Sequence, residues 1–141
     1  MNVMKRGVDA YRRTEAQSAS PLQLVVMLYD GALQFLNEAR AAQARGDMRA
    51  RGAALRRVTA IVAECQSTLD LERGGAVATE LDRLYSYISG RLLDVTVKRD
   101  GTAIDETYKL MSTLREAWAQ AATGGVIATA AQPPAELALR P

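Results

Sequence analysis

The sequence predicts an all-α protein, an antiparallel four-helix bundle with a short N-terminal cap segment and a disordered C-terminal tail. Three observations lead there. Of the 141 residues, 48% are hydrophobic but only 5% aromatic, an Ala/Leu/Val-rich balance that favours helix. Four successive stretches place apolar residues three and four apart, the period of one helical face. The breaks between them carry turn and cap residues. The length suits one domain with a real core, organised as a cap segment (1–19), the bundle (20–123) and the tail (124–141).

The first helix begins at Ser20-Pro21-Leu22-Gln23. Ser20 can cap free amides, Pro21 suits the first helical position, and Gln23 completes a capping box. This helix is expected to run to about Arg45, where Gly46-Asp47 breaks it and Asp47 caps the next. The second spans about Asp47 to Leu71 and stops before Gly74-Gly75. The third runs from about Val77 to Lys98, ending at Asp100-Gly101. The fourth opens with Thr102 and Asp105 in capping-box spacing and continues to about Ala122.

Each helix carries one apolar seam: Leu22, Val25, Tyr29, Ala32 and Leu36 in the first, Leu55, Val58, Val62, Cys65 and Leu69 in the second. The third offers Leu81, Leu84, Ile88, Leu92 and Val95, and the fourth Ile104, Tyr108, Met111, Leu114 or Arg115, and Trp118. Short connections between four such stripes make an antiparallel bundle the natural way to bury them. Outside it, residues 1–19 hold Val8 and Tyr11, while residues 124–141 are rich in Gly, Ala, Thr and Pro.

Composition also narrows the function. The chain has no histidine and one cysteine, so it lacks an imidazole relay and the residues of a thiolate metal centre. No glycine-rich phosphate loop and no Ser/His/Asp set is present. Neither an enzyme nor a cofactor or metal protein is expected. The net charge of +2 gives no general pull toward nucleic acid or an anionic membrane. Arginines at 45, 49, 51, 56 and 57 lack the interleaved aromatics of a strand-binding surface, and read as a solvated face. No stretch reaches the ~20 apolar residues of a membrane span, and no signal-peptide pattern follows Met1 to Arg6. A cytoplasmic location is expected.

The first helix is more apolar than a bundle seam requires. Its seam covers roughly a quarter of the circumference, yet Leu24, Leu28, Gly31 and Phe35 form a second row beside it, with Val26 and Leu33 on the other flank. This row is either buried deep between neighbours or part of a groove. Gly31 favours a groove, since a mid-helix glycine costs roughly 1 kcal/mol relative to alanine and lets another backbone approach. On the polar side of the third helix, Leu93 and Val97 sit one turn apart, as an anchor for a second amphipathic helix would.

The segment Tyr11-Arg12-Arg13-Thr14, then Ala19-Ser20-Pro21, then Met27-Leu28-Tyr29-Asp30-Gly31 resembles the N-terminal signature of the FliS family of flagellin export chaperones. The likeness continues in Leu84-Tyr85-Ser86-Tyr87-Ile88 and in Leu114-Arg115-Glu116-Ala117-Trp118, and covers residues 11 to about 122. It makes Ser20, Pro21, Tyr29, Asp30, Tyr85 and Trp118 family-motif positions. Val95-Thr96 departs from the Ala-Asn common in the family, and the tail beyond Ala122 has no counterpart.

The resemblance implies a cytosolic chaperone that binds the disordered C-terminal region of flagellin, prevents premature polymerisation and delivers it to the flagellar type III export apparatus. The binding surface would then be Leu24, Leu28, Gly31 and Phe35 with Leu93 and Val97. The N-terminal segment would cover part of that surface through Val8 and Tyr11, with Tyr11 docking to the export gate protein. The alternative is a self-associating structural or regulatory bundle that buries the same row in a homodimer when unliganded. Neither reading involves nucleic acid or membrane insertion.

Overall fold

The computed structural model describes residues 19–124 and 139–140. Four helices follow in order: α1 (Pro21–Ala44), α2 (Met48–Ser67), α3 (Gly75–Val97) and α4 (Thr102–Ala122). Each packs on two neighbours, α1 on α2 and α4, and α3 on the same pair. The result is the four-helix bundle that the seams predict. Its antiparallel register shows in ion pairs between α1 and α4: Arg40 meets Asp105 and Asp30 meets Arg115, each at 2.9 Å.

Local chemistry explains most of the boundaries. Ser20 Oγ accepts from the Gln23 amide while Gln23 Oε1 accepts from the Ser20 amide, a complete capping box. At the other end of α1, Gly46 adopts φ 75°. Its amide donates to the Gln43 carbonyl and that of Asp47 to the Ala42 carbonyl, closing a Schellman turn that a Cβ would strain. Asp47 then caps α2 by accepting from the Ala50 amide. One boundary and one cap differ from expectation. Helix α2 stops at Ser67 rather than near Leu71, because the Thr68 hydroxyl bonds back to the Cys65 carbonyl and the chain turns out of helix. The start of α4 is not capped by Thr102; Asp100 accepts from the Thr102 amide and hydroxyl instead.

The core follows the seams closely in α1 and α2, where all ten predicted positions are buried, Cys65 included. Burial pushes the Cys65 thiol up to about 12. In α3 and α4 the phase is shifted by one residue at two places. Tyr85 is buried where Leu84 is only half-buried, and Thr107 is buried where Tyr108 is half-buried under the Arg40 guanidinium. Both pairs straddle the core, since neighbouring helix positions differ by only 100°.

Candidate functional site: an apolar groove between the first two helices

Three of the family-motif residues meet inside the bundle. The Tyr29 and Tyr85 hydroxyls are 2.6 Å apart, and Trp118 Nε1 donates to Tyr29 Oη at 3.3 Å. All three side chains are buried, and burial raises both phenols far above their ordinary value. Such a cluster ties α1, α3 and α4 together through mutually satisfied polar atoms. At the adjacent surface Asp30 takes a two-pronged bond from Arg115. Tyr29, Asp30, Tyr85 and Trp118 therefore hold the fold, with Ser20 and Pro21 starting its first helix.

The second row of α1 has a different environment. Leu24 is 39% exposed, and Leu28, Gly31 and Phe35 are half-buried, packing at the margin of the core rather than in it. They run along the seam between α1 and α2, on its outer side. A Cβ on Gly31 would stand 3.5 Å from Ile61 Cδ1, and the Arg57 guanidinium lies 5.2 Å from the Phe35 ring. Nearer the bundle end, Leu24 and Leu28 face Glu64 and Thr68 across a cavity of about 430 Å³. The walls are thus Leu24, Leu28, Gly31 and Phe35 on α1 against Arg57, Ile61, Glu64 and Thr68 on α2. The row is a half-buried apolar margin along α2, open as a cavity at its Leu24 and Leu28 end and packed under Arg57 at Phe35.

Leu93 and Val97 on α3 are 62% and 67% exposed. They lie within roughly 60° of Asp82 and Ser86 on the helix wheel, and those two residues share the Gln66 side chain of α2. Leu93 and Val97 therefore flank α2 on the side opposite the α1 row. Between them the outer face of α2 carries the small exposed residues Ala60 and Ala63. The two predicted apolar sets are not in one groove; they border α2 from both sides. Val8 and Tyr11 lie outside the described residues.

A polar cluster sits at the α3–α4 corner. Arg91 bonds Asp94, Asp100 and Glu106, and Tyr87 donates to Glu106. The bond from Tyr87, then that from Arg91, holds the Glu106 carboxyl below its ordinary range. Thr102 first and Arg91 second do the same for Asp100. This network fixes the turn.

Sequence reasoning missed the α2 wall and the chain's far end. Ile61 is an apolar residue one position off the α2 seam, and that displacement was the available signal. Leu139 is buried against the end of α2, pairing as an isolated antiparallel bridge with Leu69, while the Arg140 amide donates to the Thr68 carbonyl at 2.7 Å. The rest of the expected disordered tail, 125–138 and 141, lies outside the described residues. No helix among the described residues is long and apolar enough to cross a membrane.

Comparison with known proteins finds relatives over most of the chain. The family model described as flagellar protein FliS matches residues 4–125. The flagellar secretion chaperone FliS of Salmonella typhimurium is 40% identical, over 81% of this chain and 88% of that protein. FliSB of Pseudomonas aeruginosa, of the same description, is 30% identical over 84% of this chain and 94% of its own. The Bacillus subtilis chaperone is 30% identical over 79% and 83%. The chain belongs to the family of the flagellar protein FliS.

Proposed function

We propose that this chain is a flagellar secretion chaperone whose cargo is the C-terminal segment of flagellin, bound along the α1/α2 groove and across the outer face of α2. The observation that carries this reading is the partly exposed Leu24, Leu28, Gly31 and Phe35 row facing Arg57 and Ile61, beside a core already closed by Tyr29, Tyr85 and Trp118. Amphipathic helices bind such grooves through apolar anchors at helical spacing. A segment disordered when free loses entropy on binding and needs a long surface to offset it, which Leu93 and Val97 beyond α2 extend.

In this reading the chaperone keeps flagellin from polymerising in the cytoplasm and hands it to the type III export gate, with Val8 and Tyr11 covering the groove until cargo arrives. The role is binding without catalysis. Affinity purification of the tagged chain from a flagellated host tests it. Flagellin should co-purify one-to-one. A homodimer that recovers no flagellin and ignores its C-terminal peptide would replace this reading with self-association.

A further inference from the structure

We propose that the chain's own C-terminus, through Leu139 and Arg140, occupies the α2 end of the α1/α2 groove and competes there with the cargo. This rests on the groove being the cargo site.

The last carbonyls of any helix lack intrahelical partners. Just past the end of α2, the carbonyls of its C-cap Thr68 and of Leu69 accept from the Arg140 amide at 2.7 Å and the Arg140 Nε at 3.0 Å. Helix α2 has no basic residue in its own last turn, and a cation is favoured at that end of the helix dipole. Arg140 supplies it from far along the chain. Leu139, 6% exposed, is buried beside it.

Leu139 and Arg140 also form one wall of the 430 Å³ cavity whose other walls include Leu24 and Leu28. The chain leaves α4 near Gly124 and comes back to the same end of the bundle, since Gly124 and Leu139 line a common cleft with Ser20 and Leu22. Tail and α1 row thus share one surface.

Among the described residues the attachment consists of one leucine, one bridge pair and two hydrogen bonds. It is strand addition in miniature, with main-chain bonds plus one side-chain pocket. A cargo end that displaces it must be extended, with an apolar residue followed by a donor able to reach the Thr68 and Leu69 carbonyls. A tethered competitor acts at an effective concentration of order mM, so it screens weak apolar partners and yields to a long one.

The test compares the full-length chain with its Leu139→Asp variant, titrated with a flagellin C-terminal peptide. A site closed most of the time lowers apparent affinity by the open fraction, so Leu139→Asp should bind about fivefold tighter. A synthetic peptide of residues 134–141 added to the variant should reverse the gain, and the same peptide carrying L139D should not. Equal or weaker binding to a folded Leu139→Asp chain overturns the competition and leaves Leu139 a plug of the bundle end. If Leu139→Asp fails to fold, Arg140→Gly removes the guanidinium bond to the Leu69 carbonyl and must itself tighten binding. Unchanged binding by Arg140→Gly then overturns the proposal. A peptide that binds no form refutes the cargo reading and the competition with it, whereas equal binding to all forms refutes only the competition.

Discussion

The hydroxyls of Tyr29 and Tyr85 stand 2.6 Å apart inside the bundle, joining α1 to α3. Tyr29 Oη also accepts from Trp118 Nε1, so it serves both other members of the cluster. Tyr29→Phe strands two buried polar groups and should destabilise by about 1–3 kcal/mol. Tyr85→Phe leaves the Tyr29–Trp118 bond intact and should cost less, about 1 kcal/mol. Urea unfolding of the two variants checks the order, and a larger loss for Tyr85→Phe would contradict it.

That cluster also shows what was legible in the sequence. Tyr29 stood on a clear seam, and its burial could be read from period alone. Tyr85 did not, and the partner 56 residues away that satisfies its hydroxyl leaves no local signal. Leu84 stands in the expected seam because it and Tyr85 both satisfy three-and-four spacing between Leu81 and Ile88, and neighbours 100° apart cannot be told apart by period. The groove row was visible as excess apolar surface on α1, but period cannot tell a half-buried flank from a core position. The row's half-burial depends on Ile61 and Arg57, and both lie on another helix. The anchoring of Leu139 and Arg140 is wholly non-local and left no periodic trace.

Gly31 separates packing from binding. A Cβ there would sit at ordinary contact distance, 3.5 Å, from Ile61 Cδ1, so the bundle itself does not require glycine. Gly31→Ala should therefore raise stability by roughly 0.5–1 kcal/mol. The same methyl lines the groove and should weaken cargo binding severalfold. Thermal melts and a peptide titration on one preparation read both effects; a destabilised variant would contradict the geometry.

The corner built on Arg91 makes stability depend on acid. Asp100 and Glu106 titrate below their ordinary 3.8 and 4.5 in the folded chain. A depressed carboxyl stabilises the fold above its unfolded value, and that contribution disappears as pH falls through the folded value. The melting temperature should therefore drop as pH is lowered from about 5 to about 3. Arg91→Met, which lets both carboxyls titrate closer to normally, should flatten the acid side of that curve. An identical slope in wild type and variant would exclude the corner as its source.

The most direct measurement is calorimetric titration of a flagellin C-terminal segment into the full-length chain and into its Phe35→Asp variant, with circular dichroism on both. Phe35 lies on the groove wall beneath Arg57, outside the closed core. The wild-type chain should bind one segment with a negative heat-capacity change, the mark of apolar burial. Phe35→Asp should keep its helical spectrum and lose at least about tenfold in affinity, for an apolar contact worth ~1.4 kcal/mol or more. A folded Phe35→Asp chain that binds the segment as tightly as wild type would contradict the placement of cargo in the α1/α2 groove.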